Sequence, residues 1–180
     1  MRKIDNKKKI FILLVTSIVF VVIYLLCFSY TNNKYSDIQT YTYNIEETFL
    51  MNNVSTTVNS ISIYSLDDEK FLSDLNINEE DLKLYEGNNI AFIKMSFKNN
   101  SDKVNYFSIG AFQINKEDFM SCMEPNIFFK LNPILNDQYV VCLRKGSSLD
   151  ITIPFIVPSK YNDFNLYLSL YPQQISVILN

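Results

Sequence analysis

Between Ile10 and Phe28 the chain runs nineteen residues with only Thr16 and Ser17 to interrupt its apolar character, and nothing in the run is charged at neutral pH. At the helical rise of about 1.5 Å per residue it spans roughly 28 Å, close to the hydrocarbon thickness of a bilayer. Five basic residues precede it: Arg2, Lys3, Lys7, Lys8 and Lys9. Basic residues stay on the cytoplasmic side, which predicts an N-terminus inside and the bulk of the chain outside. The lipid bilayer is therefore the expected partner of residues 10–30. A cleaved signal peptide is the competing reading, but its apolar region is usually shorter and ends in small residues. Here the run closes on Tyr24-Leu25-Leu26-Cys27-Phe28-Ser29-Tyr30, bulky where a peptidase needs small side chains. Leu26 likewise argues against lipidation of Cys27.

The remainder is long enough for one domain with a core of its own. Five bases against one acid leave +4 on residues 1–9; subtracting that from the whole chain's −3 leaves −7 for the rest. A domain of that charge is repelled by nucleic acid phosphates and by anionic wall polymers, so no nucleic acid partner is expected, and a cationic peptide or a basic protein surface fits better as the protein or peptide partner. The chain has no histidine, which removes the usual Ser-His-Asp and Cys-His arrangements and any imidazole metal site. No catalytic, cofactor-binding or metal-binding residue is assigned, and the expectation is a protein that is not an enzyme and needs no cofactor.

Residues 31–59 are rich in Asn, Thr, Ser and Tyr and read as a stalk, with local structure about Ile45–Met51. Residues 60–180 read as the outer domain. There Ala91, Ile93, Met95 and Phe97 alternate with Phe92, Lys94, Ser96 and Lys98, the pattern of a half-buried strand. Leu149 to Val157 and Leu166 to Leu170 alternate in the same way. Further strands are predicted over Ser60–Leu66, Val104–Ile114, Ile127–Leu131, Tyr139–Arg144 and Ile175–Leu179, and Asn115–Pro125 is read as a loop. Turn signals stand between them, as at Gly87-Asn88-Asn89, Asn99-Asn100-Ser101-Asp102 and Lys145-Gly146-Ser147. Strands at this spacing predict an all-β, antiparallel sandwich behind one N-terminal transmembrane helix. Pro154, inside a strand pattern, predicts an edge or a bulge. Asn78 with Glu79, Glu80 and Asp81 reads as a helix start that Gly87 would stop, with the first arm of a hairpin as the alternative.

Side chains with potential chemistry are few. The acidic clusters Asp67-Asp68-Glu69 and Glu79-Glu80-Asp81 lack the spacing that calcium requires and read as solvated loops or a helix cap. Glu117, Asp118 and Glu124 are the carboxylates a hydrolase would use, though spacing alone does not bring them together. Ser147-Ser148 after Gly146 is a turn and lacks the spacing of a nucleophile elbow. Cys122 and Cys142 lie in the outer part; a disulfide between them would close a loop of about 20 residues, worth about 3 kcal/mol in the chain-entropy model. The alternative is two free thiols. The sequons at Asn53 and Asn99 are read as chance matches in an Asn-rich chain.

The strand Ile93-Lys94-Met95-Ser96-Phe97 runs into Lys98-Asn99-Asn100-Ser101-Asp102. It is followed by Phe112 and Ile114, by Arg144-Lys145-Gly146-Ser147, and by Ile153-Pro154-Phe155-Ile156-Val157-Pro158. In that order the segment from about Asn89 to Leu170 resembles the telokin-like, immunoglobulin-like β-sandwich domains of unknown function in lipoproteins and anchored proteins of Gram-positive bacteria. The departures are the loop Asn115–Pro125 and the non-lipoprotein anchor. The resemblance implies a fold and an address and brings no catalytic residues. The expected function is thus a membrane-anchored extracytoplasmic domain that binds a protein or peptide through a strand edge or loops, Asn99–Lys103 and Asn115–Asn126 foremost. The alternatives are an accessory subunit of an envelope complex acting partly through its helix, and a carboxylate-based wall hydrolase.

Overall fold

The computed structural model describes residues 6–35, 39–66, 85–136, 138–170 and 173–180. The readings placed on Asp67–Glu69 and on Asn78–Asp81 lie outside the described residues.

Helix α1 (Asn6–Tyr35) contains an apolar span, Ile10–Thr31, long enough to cross a membrane. Apolar side chains lie on every face of this span, so it has no polar stripe of the kind that a surface helix of a globular domain turns to water. Thr16 donates to the Ile12 carbonyl at 2.8 Å, so its hydroxyl is satisfied within the helix.

The second compact unit, Gln39–Asn180, is a β-sandwich. One sheet has the order β1 (Gln39–Asn44), β11 (Gln173–Leu179), β10 (Phe164–Leu170), β6 (Phe112–Lys116) and β7 (Phe119–Cys122). The other has the order β2 (Thr48–Met51), β3 (Val54–Ser65), β4 (Asn88–Asn99) and β9 (Ser148–Pro158). A two-stranded ribbon, β5 (Asn105–Ser108) with β8 (Val140–Leu143), completes the set. Ala91, Ile93, Met95 and Phe97 of β4 share one core with Phe112 and Ile114, with Leu166 and Leu168, with Ile175 and Val177, and with Phe107 and Val141 of the ribbon. Phe97 joins the layers: its ring centroid is 4.7 Å from that of Phe107 and 6.5 Å from that of Phe112.

The expected alternation holds over Ala91–Phe97 of β4, Ile151–Val157 of β9 and Phe164–Leu168 of β10, where every second residue is buried because successive side chains point to opposite faces. Pro154 lies on β9, the outermost strand of its sheet, as its missing N–H requires. The antiparallel expectation has one exception. β1 pairs parallel to β11, which is possible because more than a hundred residues separate them and no hairpin constrains the pair.

The expected stalk is corrected. Within residues 31–59, α1 extends to Tyr35, and β1, β2 and the first half of β3 follow from Gln39. Polar Thr and Ser are compatible with strands wherever the alternate residue is buried, and here Phe49, Met51, Val54, Thr56 and Val58 are. Asn52 and Asn53 both hold positive φ, 50° and 65°, which closes β2–β3 as a two-residue hairpin. The register slips between Val58 and Ser60, where Asn59 is an extra residue. The bulge switches the inward set from even positions to Ile61 and Ile63.

Two further expectations are corrected. Ile127–Leu131 is not a strand but part of helix α2 (Pro125–Leu131): Pro125 opens it, and the Glu124 carboxylate caps it by accepting from Asn126 N–H at 3.2 Å. Helical spacing then drives Phe128 into the main core, while Ile127 and Leu131 cover the outer face of β4 at Ile90 and Phe92. The segment Val104–Ile114 is broken at Ile109–Ala111 and divides between the ribbon and the five-stranded sheet. The loop Asn115–Pro125 holds β7, joined to β6 through Glu117, which takes the left-handed φ of 53° usually left to glycine.

Candidate functional site

The three candidate carboxylates are not assembled into one site. Glu117 and Asp118 sit in the β6–β7 turn, where each accepts from the Tyr161 hydroxyl at 3.4 Å. Lys160 lies over the Tyr161 ring at 4.5 Å, and the hydroxyl beside it holds the lysine above its ordinary pKa. Lys116 pairs with Asp163, and that hydrogen bond likewise raises the Lys116 pKa. Glu124 belongs to another neighbourhood, where it caps α2 and accepts from the Tyr85 hydroxyl at 2.8 Å. Among the described residues no three His, Cys, Asp or Glu side chains gather as metal ligands do. Ser147 is a turn residue whose amide and hydroxyl both donate to the Arg144 carbonyl.

Cys122 and Cys142 are exposed free thiols in this structure. They occupy different sheets: Cys122 pairs with Gln113 on β6, and Cys142 lies across from Tyr106 on β5. The thiol of Cys142 interacts with the Tyr106 hydroxyl, and this contact holds the phenol above its ordinary pKa.

The two arms of the ribbon fall within the strands expected over Val104–Ile114 and Tyr139–Arg144, but no function was expected of them. Its inner side chains Phe107, Val141 and Leu143 are buried, while Tyr106, Val140 and Cys142 face out, and Val104 just before it is exposed as well. A buried amide fixes one end of it. Asn99 has no solvent exposure; its Nδ2 donates to the carbonyls of Lys103 (2.7 Å), Leu143 (2.9 Å) and Arg144 (3.2 Å). Its Oδ1 accepts from Ser101 N–H, the Ser101 hydroxyl and the Asn105 amide. The loop Asn99–Lys103 is therefore locked to the β8–β9 turn, in which Gly146 supplies a φ of 68°.

The outer edge of β9 is sealed in a similar way. Asn132 receives Thr152 N–H at its Oδ1 (3.0 Å) and donates its Nδ2 to the Thr152 carbonyl (2.8 Å), as a neighbouring strand would. Glu124 N–H continues the seal by donating to the Pro154 carbonyl, and Met123 forms a bridge with Phe155. The edge of β8 is different. The Ile109 N–H donates to the Tyr139 carbonyl in the same register as the ribbon. By the alternation of antiparallel ladders, 107/141 and 105/143 are then the hydrogen-bonded pairs. The backbone groups of Val140 and Cys142 point away from β5. Both residues line a recess of about 300 Å³, together with Ile134, Leu135, Arg144 and Leu149 among others.

Comparison with known proteins adds the family. Residues 39–175 match the model described as "Domain of unknown function (DUF5028)". The chain belongs to that family. The DUF5028 match begins at β1, at the same residue as the sandwich, and so agrees with the strands in place of a stalk. Of solved structures, a functionally unknown protein from Listeria monocytogenes EGD-e is similar at a TM-score of 0.51 and 13% identity, over 74% of this chain and 79% of that one. The yjhA protein from Bacillus subtilis aligns at 0.48 and 12%, over 77% and 99%. An uncharacterized beta-sandwich protein from Clostridium difficile 630 aligns at 0.45 and 9%, over 80% and 98%. The Listeria likeness is one of fold alone. No curated protein matches the chain. The DUF5028 description carries no activity.

Proposed function

We propose that this DUF5028 protein is a single-pass membrane protein with a cytoplasmic N-terminus, displaying a non-catalytic sandwich of immunoglobulin-like type that binds a protein or peptide outside the cell. The observation that carries the reading is α1, whose span Ile10–Thr31 carries apolar side chains on every face and suits a bilayer. Arg2, Lys3 and Lys7–Lys9 before it support the orientation. The outward Tyr106 and Val140 and the open edge of β8 support binding over catalysis, as does a sequence without histidine.

The test uses the two exposed thiols and one photo-crosslinker. A membrane-impermeant maleimide applied to intact cells is expected to label Cys122 and Cys142 before permeabilisation, on a protein that keeps its N-terminus and stays with the membrane. A photoreactive residue at Tyr106 is expected to give a discrete adduct, and one at Thr57 none. Labelling that requires permeabilisation overturns the topology. Adducts that form only from positions in α1 replace the display reading with the accessory-subunit one.

A further inference from the structure

We propose that the open edge of β8 accepts an extended segment of a partner polypeptide by strand addition, and that an acidic side chain of that segment sits on Arg144. The inference rests on the reading of the domain as a binding module and names the chemistry of its partner. Three observations carry it.

The first is the unpaired backbone. The N–H and C=O groups of Val140 and Cys142 point away from β5 and have no partner among the described residues. Two residues so disposed are the template onto which an added strand hydrogen-bonds. The neighbouring edge of β9 is occupied at Thr152 and Pro154 by Asn132 and Glu124.

The second is the shape beside that edge. β8 and β9 are joined by the turn at Arg144–Ser147 but pair in different sheets, and both line the recess of about 300 Å³, with Leu135, Val141 and Leu149 among its apolar residues. Four strand residues of β8 extend about 13 Å at the usual rise per residue. That is room for three or four residues of a guest, its alternate side chains directed at the apolar part of the lining.

The third is charge. The domain as a whole is acidic, at −7 for the residues after Lys9. Yet Asn99 brings Lys103 and Arg144 together through their carbonyls, Lys145 follows in the turn, and Lys98 lies opposite Ser148 in register. Asp102, Asp137 and Asp150 are the acids nearby in sequence and register. Among the described residues the sole ion pair is Lys116–Asp163, so none of these four cations is paired. Arg144 is the one that lines the recess, next to Ser147 and Ser148. Its planar guanidinium matches a carboxylate in two-point geometry. The turn amides offer no rival anion site, because Gly146 N–H donates to Asn99 and Ser147 N–H to Arg144. Arg144 is thus the anion-binding group of the recess, and a side-chain carboxylate within the guest strand is the partner proposed for it.

The experiment presents the full-length protein, in detergent micelles, to an array of random heptapeptides with amidated C-termini. Wild type is expected to enrich peptides with alternating apolar residues and Asp or Glu at one fixed position. Arg144→Glu is expected to weaken binding of those peptides by at least about tenfold, the scale of one charge-assisted hydrogen bond. Peptides N-methylated at alternate residues are expected to lose binding, since they cannot pair with the edge; this arm leaves the protein unaltered. Val140→Pro removes an edge N–H that the ribbon does not use and is expected to abolish binding with an unchanged thermal midpoint. Enrichment without an acidic preference, enrichment that survives Arg144→Glu or N-methylation, or no enriched peptide at all overturns the proposal. Any of these results alongside a persistent Tyr106 adduct on intact cells leaves the binding module standing, with its partner seated elsewhere.

Discussion

Asn99 makes six side-chain polar contacts from a position closed to solvent, and removing it takes a donor from the carbonyls of Lys103, Leu143 and Arg144 and an acceptor from Ser101 and the Asn105 amide. Each buried group left without a partner costs about 1–3 kcal/mol. Asn99→Ala is therefore expected to lower stability by about 2–4 kcal/mol, read as a shift of the urea midpoint; a change below about 0.5 kcal/mol would refute its role as a hub. The second residue-scale expectation concerns Tyr106. Its neutral phenol is favoured by Cys142, so the folded pKa lies above the ordinary value near 10. The sign follows: any stability from this contact is present below the unfolded pKa and is lost as pH rises through the folded one. Cys142→Ala is expected to bring the Tyr106 titration down toward its ordinary range, followed by NMR of labelled tyrosine. No movement would mean the contact is absent in solution.

Helix α2 and its C-terminal Asn132 form an element with two duties. Phe128 is fully buried in the main core, and Phe128→Ala is expected to cost about 3–5 kcal/mol in chemical denaturation. Asn132 stands in for a strand along β9, so Asn132→Ala should cost less, about 1–2 kcal/mol, but open that edge. Light scattering at rising concentration is expected to show association of this variant, and a variant as monodisperse as wild type argues against the sealing role. This element is also where sequence reading went astray. Ile127-Phe128-Phe129 is a short apolar run, and period alone cannot separate a buried strand from a buried helix in so few residues. The signal that separates them is Glu124-Pro125, a cap followed by a proline at the first helical position. β3 was half hidden for a different reason: the extra residue Asn59 reverses the inward parity, so the alternation of Val54–Val58 does not continue into Ile61 and Ile63.

At the scale of the molecule, the sandwich starts at Gln39, and this has a consequence for truncation. A chain beginning at Gln39 is expected to unfold cooperatively with the same midpoint as the full-length protein. One beginning at Ile45 removes β1 and exposes the edge of β11, and is expected to melt lower by several degrees in circular dichroism. Equal midpoints would restore a stalk for residues 39–44.

The apolar run, the charge before it and the period-two pattern of β4, β9 and β10 were enough by themselves to assign a membrane-length helix and a two-layer β class. Both are local signals: a bilayer span is a matter of length and polarity, and alternation records which face of a strand is buried. The edges are another matter. Whether a strand's outer backbone is sealed or open depends on which distant segment comes to lie beside it, and alternation carries no trace of that choice. Asn132 closing β9 and Asn99 gathering Lys103 with Arg144 beside the open β8 are decided by long-range packing alone. The recess is lined by two strands that one tight turn joins but that pair in different sheets.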